Sequence, residues 1–362
     1  MPANRAAAEV TPLQLSAHRY QRRRLEAALR TGTPRGTPPP RPLAAGAAVT
    51  ALIAIGCVVL AVLHPRPDVG DTGFVVSRHT GALYVRVGPV WHPVLNLASA
   101  RLIAASPAEP RPVPDAALAG LARGPLLGIP GAPQTLGAPL PAAAWTVCDS
   151  TDPAEPGDRS TTVIIDTDDE DQPRPALTAQ DAVLVTTGTG APSFLLRAGQ
   201  RRRVTAGEPA RGVSALLLNS VPEQPATTAV DPPAAMPPAT LCVTWRAGAI
   251  TVTGGARPPL PAGAETVPLA QADGAGPALD AVWLPPGRTG YARCPGPGGT
   301  GYLVTETGVR FPVADAAAAG DLGLPAEPAA APCPLLTALP VGPLLSREAA
   351  AVARDVVAPA SR

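Results

Sequence analysis

The sequence predicts an α+β protein: a single transmembrane helix, then an extracytoplasmic domain in which small β-rich repeats surround a central β domain. The helix rests on Leu43 to Leu63, twenty-one consecutive uncharged residues. At ~1.5 Å per residue they cover ~30 Å, the hydrocarbon thickness of a bilayer. The β content rests on short apolar runs punctuated by turn formers, with 35 Gly and 49 Pro in 362 residues. The repeats rest on two stretches, 81–103 and 300–324, that read alike.

Taken from the N-terminus, Thr11-Pro12-Leu13-Gln14 opens a helix. Thr11 suits the cap, Pro12 the first helical position, and Gln14 the reciprocal capping position. The helix runs to Gly32, with Leu15, Tyr20, Leu25, Ala28 and Leu29 towards one side and a dense basic face of Arg19, Arg22, Arg23, Arg24 and Arg30. Such a helix lies on anionic lipid, docks on a cytoplasmic partner, or serves only to fix topology. Residues 33–42, with five Pro, form a stiff link. Eight Arg and two Glu precede Leu43, whereas Arg66 and Arg78 are offset by Asp68 and Asp71 after Leu63. The positive-inside rule therefore places residues 1–42 in the cytoplasm and 64–362 outside. A signal peptide fits poorly, because the apolar run is long, starts late and ends in Leu-His-Pro-Arg.

In the repeats, Leu83-Tyr84-Val85 aligns with Tyr302-Leu303-Val304, Gly88 with Gly308, and His92-Pro93-Val94 with Phe311-Pro312-Val313. Each copy reads as strand, turn, strand and short Ala-rich helix. A third copy, 193–207, has Phe194-Leu195-Leu196, Gly199 and Val204 in the same places. The first and last copies share a tail, 121–128 and 339–346, built on Gly-Pro-Leu-Leu. Units this small cannot bury a hydrophobic face alone, so the copies must pack on something, and pairing of first with last would join the ends of the domain. Apolar runs at 161–166, 182–186, 241–245 and 249–253 suit central strands. The resulting division is 1–42 (helix and linker), 43–63 (span), 64–144 (first repeat region), 145–190 and 241–290 (central domain), 191–222 (middle repeat), 223–240 (Pro/Ala linker), 291–350 (last repeat) and 351–362 (tail).

Several chemistries are excluded or disfavoured. The chain has no lysine, which removes a P-loop, a Schiff base and a Ser–Lys dyad. Net charge is +1, so no nucleic-acid partner is expected. Gly296 to Gly301 fits G-x-G-x-x-G, but a strand rather than a helix follows, so it reads as a turn. Asp166 to Asp171 lacks the Gly and Glu of a calcium loop. His18, His64, His79 and His92 share no ligand spacing, and Arg201 to Arg203 reads as a solvated turn. No catalytic residue, metal or cofactor is expected. Cys57 lies in the span, and Cys148, Cys242, Cys294 and Cys333 lie outside, which reads as two disulfides of undetermined connectivity.

The helix 13–29, Gly81 to Gly88, His92 to Leu102, Gly124 to Pro133, Trp145-Thr-Val-Cys-Asp149, Leu241-Cys-Val-Thr-Trp245 and the terminal Leu-Pro-x-Gly-Pro-x-Leu-Ser resemble, in order, the EccB family of type VII secretion systems in actinobacteria. The resemblance implies a structural subunit of the secretion core, anchored by one helix in the plasma membrane. It implies as partners the FtsK-like ATPase EccC, the polytopic EccD, EccE where present, and further copies of the chain. It implies a Cys148–Cys242 bond, which leaves Cys294 with Cys333. Family members are described as ATPases, for which these residues offer no phosphate cradle. They also carry a fourth repeat, where this chain has a Pro/Ala stretch. A free-standing wall-binding anchor is the alternative function, disfavoured by an aromatic content of 3%.

Overall fold

The computed structural model describes residues 12–31, 41–63, 69–140, 143–151, 158–167, 182–204, 210–225, 238–246, 248–296 and 298–355. The chain divides into two units, 1–66 and 67–362. The first holds α1 (Pro12–Thr31) and α2 (Arg41–Leu63). Thr11 lies outside the described residues. Leu15, Tyr20, Leu25 and Leu29 of α1 are exposed, Leu29 by 83%. α2 starts two residues before the predicted span, with Pro42 in its first turn, where no amide partner is needed. Its side chains are described over 45–60. Among the described residues no helix is long and apolar enough to cross a membrane.

The second unit is built from one motif used three times. In the first copy β1 (Phe74–Ser77), β2 (Leu83–Val87) and β3 (Val90–Val94) form an antiparallel meander. α3 (Leu97–Ala104) crosses over to β4 (Arg111–Val113), which pairs parallel with β1, and α4 (Asp115–Leu118) follows. The chain then passes through β5 (Ala138–Pro139) to the long hairpin β6 (Ala143–Thr151) and β7 (Arg159–Thr167). The second copy comprises β8 (Val183–Thr186), β9 (Ser193–Arg197), β10 (Gln200–Val204), β11 (Arg211–Gly212), α5 (Ala215–Asn219) and β12 (Glu223–Gln224), with β11 parallel to β8. Only six residues, 205–210, separate β10 from β11, against sixteen, 95–110, between β3 and β4.

β13 (Thr240–Arg246), β14 (Ala249–Gly255), β15 (Val267–Pro268) and β16 (Ala281–Trp283) complete a central sheet of order β14-β13-β6-β7-β16-β15. The third copy is β17 (Arg288–Arg293), β18 (Gly301–Val304), β19 (Arg310–Val313), α6 (Ala316–Leu322), β20 (Ala329–Ala330) and α7 (Cys333–Ala338); α8 (Arg347–Ala350) follows. β20 is parallel to β17, as β4 is to β1.

Strand alternation separates the faces of the central sheet. Trp145, Val147, Val163 and Ile165 point into a core shared with Phe194, Leu217 and Leu336 of the second and third copies. Cys148, Ile164, Cys242 and Trp283 point the other way, under Leu260 and Ala264.

The register corrects the sequence alignment of the repeats by one residue. Tyr84 lies opposite Pro93, and Tyr302 lies opposite Pro312. Tyr84 therefore corresponds to Tyr302, and Val85 to Leu303, with the third copy carrying one more residue in its hairpin turn. The reason is the two-residue period of a strand, since a slip of one reverses the faces. Val85 and Leu303 are both fully buried, and the two tyrosines are half-buried.

Candidate assembly site

The structure brings the first and last copies into contact. α3 packs against α6 and α8. Ala98 and Leu102 share a core with Leu303, Phe311, Ala318, Leu322 and Leu345. The alanines on both helices supply little bulk at the contact, so the helices can sit close. Arg101, 6% exposed, donates from Nη1 to the Leu322 carbonyl at 3.0 Å and from Nη2 to Glu109 at 2.7 Å. Its charge thus sits at the C-terminal end of α6, where unpaired carbonyls favour a cation. Arg347 holds Asp321 with two bonds, Nε at 2.5 Å and Nη2 at 2.8 Å. Beyond α8 the chain lies across the tail of the first copy. The Arg354 amide donates to the Leu126 carbonyl (2.8 Å), and its Nε donates to the Gly128 carbonyl (2.7 Å). The Leu126 amide donates to the Asp355 carboxylate.

The shared Gly-Pro-Leu-Leu tails have one structural meaning. In the first copy the Gly124 amide donates to the Trp91 carbonyl (3.0 Å) and the Leu127 amide to Pro93 (2.9 Å). In the last, Gly342 donates to Arg310 (2.8 Å) and Leu345 to Pro312 (2.8 Å). Each tail so extends its sheet by parallel bridges along the third strand. A Cβ on Gly124 would collide with the His92 ring, and one on Gly342 with the Phe311 ring. His92 pairs through Nδ1 with the Pro125 carbonyl at 3.0 Å, which holds its ring against the tail.

The second copy is fixed to the central sheet by Asp149, which is fully buried. One carboxylate oxygen accepts from the Thr161 and Ser214 hydroxyls, both at 2.9 Å, and the other from the Ser214 amide at 2.6 Å. Ser214 is also the N-cap of α5, accepting from the Leu217 amide at 3.1 Å. Arg211 donates to the Asp149 and Ala239 carbonyls at 2.8 and 2.9 Å. Burial pushes the Asp149 carboxyl above its ordinary 3.8, against the pull of its three hydrogen-bond donors and of Arg159. Burial pushes the Arg211 guanidinium down, partly offset by the Asp149 charge. Opposite faces of neighbouring strand positions thus carry two different ties, because Cys148, next to Asp149, is bonded to Cys242 directly across the β6–β13 pair, with Cα atoms 4.1 Å apart. Cys294 and Cys333 are bonded at a Cα separation of 5.0 Å, joining the end of β17 to the start of α7.

The remaining sequence candidates do not converge. Arg19, Arg22, Arg23, Arg24 and Arg30 are all exposed on α1. His18 and His79 are exposed, and His64 lies outside the described residues. The glycine-rich loop 296–301 links β17 to β18, so a strand and not a helix N-terminus follows it. Asp166 sits in β7, while 168–171 lie outside the described residues. Arg201 is not a solvated turn residue: it sits in β10, donating to the Leu218 carbonyl at 2.7 Å and to Glu223 at 3.2 Å, with the Phe194 ring 5.4 Å away. Among the described residues no group of three or more His, Cys, Asp or Glu is placed to hold a metal. A cavity of about 630 Å³ beside residues 131–138 has Arg288 and Glu306 on its wall, and Glu306 is engaged by the Gly287 amide at 2.9 Å. Sequence reading missed Asp149, Ser214 and Arg211. The one available signal was an Asp closing an apolar strand at Trp-Thr-Val-Cys-Asp.

The family described as "Type VII secretion system ESX-1, transport TM domain B" matches residues 7–236 and 208–359. The "ESX-5 secretion system ATPase EccB5" of Mycobacterium tuberculosis is 38% identical over 189 residues, covering 50% of this chain and 36% of the relative. The "ESX-3 secretion system ATPase EccB3" of Mycolicibacterium smegmatis is 34% identical over 243 residues, covering 61% and 46%. The matched part therefore spans well under two thirds of these relatives. Among solved structures, a chain of the intact ESX-5 inner membrane complex superposes with a TM-score of 0.66 at 26% identity, over 100% of this chain and 99% of that one. The EccB3 dimer from the ESX-3 core complex gives a TM-score of 0.62 at 27% identity, over 78% and 100%.

Proposed function

The chain belongs to the EccB family of type VII secretion systems, and on that premise we propose that it is a membrane-anchored structural subunit of a secretion core complex. In this reading residues 1–42 are cytoplasmic, 43–63 cross the plasma membrane, and the repeats and central sheet act outside. Other core subunits (EccC, EccD and EccE) and further copies of the chain are the partners. The observation that carries it is the junction of first and last copies. α3, α6, α8 and residues 353–355 tie the two ends of the unit together, which suits a part whose shape is its function.

A second reading, nucleotide hydrolysis, comes from the relatives' names. The chemistry of the chain argues against it. Without lysine a P-loop cannot be completed, and among the described residues the glycine-rich stretch before β18 leads into a strand and not a helix N-terminus.

The span rests on the sequence, on the uncharged run Leu43–Leu63 and on the eight-to-two excess of Arg over acids before it. Protease added to intact spheroplasts is expected to remove the mass beyond His64 and leave an N-terminal fragment. Protection of that mass would overturn this topology.

A further inference from the structure

We propose that α1 lies on the anionic inner surface of the membrane, held there by Arg19, Arg23 and Arg30 alongside the apolar stripe Leu15–Leu25–Leu29. The proposal rests on the reading that α2 spans the bilayer.

The placement follows from helix geometry. At 100° per residue Leu15, Leu25 and Leu29 fall within an arc of ~80°, and Arg19, Arg23 and Arg30 within an adjoining arc of ~40°. All six side chains are exposed. Between residues 12 and 31 five Arg face a single acid, Glu26, so the helix complements a negative surface. Arg22 sits inside the apolar arc, where its methylene stem can lie along the stripe and its guanidinium reach headgroups. Helix geometry corrects the grouping expected from the sequence at two positions, because Tyr20 and Arg24 lie on the far side, away from both the leucines and the other arginines.

The tether decides between a lipid surface and a distant protein. Nine residues, 32–40, separate α1 from α2. Fully extended they reach roughly 30–35 Å, so α1 is never far from the headgroups once α2 is inserted. A lipid surface is then present at high effective concentration without any second subunit. Apolar insertion and headgroup attraction act together, and the electrostatic part is screened beyond ~8 Å at physiological salt.

The test uses the full chain in nanodiscs of phosphatidylcholine, with and without phosphatidylglycerol, read by amide hydrogen exchange over residues 12–31. Exchange is expected to slow by about tenfold or more in the phosphatidylglycerol discs. The slowing should vanish at ~1 M salt, where the screening length falls to ~3 Å. It should also vanish in the Arg19→Gln, Arg23→Gln, Arg30→Gln variant and persist in the corresponding Lys variant. Equal exchange in both discs would overturn the proposal. So would slowing that survives high salt and charge removal, or slowing that requires other subunits. The spheroplast experiment separates these failures from failure of the span itself, because cytoplasmic placement of residues 1–42 does not depend on whether α1 touches lipid.

Discussion

Replacing Cys148 and Cys242 together with alanine is expected to lower the unfolding midpoint of the detergent-solubilised protein by roughly 10 °C. The two residues are 94 apart in sequence, so the bond closes a loop whose entropy in the unfolded chain is worth ~4–5 kcal/mol. For a unit of this size ~1 kcal/mol corresponds to ~2–4 °C. The bond joins the two halves of the central sheet across an excursion that contains the whole second copy, so its loss frees that copy along with the sheet. Alanine also empties space beneath Trp283 and Ile164, adding a packing loss. Differential scanning calorimetry decides the matter. A midpoint within ~2 °C of the wild type would show that the bond contributes little.

Asp149→Ala is the second large effect. It leaves the Thr161 hydroxyl and the Ser214 amide and hydroxyl, all buried, without their acceptor. Donors stranded in this way cost ~1–3 kcal/mol each before relaxation, and a loss of ~3–5 kcal/mol is expected, with the second copy detaching first. The pH dependence has a definite sign. Burial raises the folded-state pKa of Asp149 above its ordinary 3.8. Between the unfolded and folded values the native state binds more protons. The contribution of this carboxyl is therefore full below ~3.9 and declines as pH rises through the raised pKa. Asn does not titrate, so the stability of wild type relative to Asp149→Asn is expected to fall with rising pH across that window. Urea midpoints measured as a pH series check this, and a difference that grows with pH would contradict it.

Particular residues show what sequence alone can reveal here. The hairpins around Gly88, Gly199 and Gly308 are visible because a glycine turn between two short strand-like runs has few solutions. The two tails are visible because Gly-Pro-Leu-Leu occurs twice, and the structure supplies the cause, a glycine seated against a ring of the third strand. The parallel strands were hidden: β4, β11 and β20 are two or three residues long and carry no periodicity, and each forms only because its crossover delivers it to β1, β8 or β17. The one-residue offset between Tyr84 and Tyr302 was hidden for a related reason, since letters can be matched without gaps while faces cannot. Asp149 and Arg211 are separated by 62 residues, and only folding of the second copy onto the sheet brings them together. The exposed arginines of α1 were plain from the start, because nothing tertiary is needed to place them.

The proposal that the chain acts by holding a complex together is tested most directly by native gel electrophoresis of the membrane complex from a host lacking its own copy of this protein. The complex is expected to be absent, to reappear when the full chain is supplied, and to fail again with Asp149→Ala. A complex that assembles to full size without the chain would contradict the structural role.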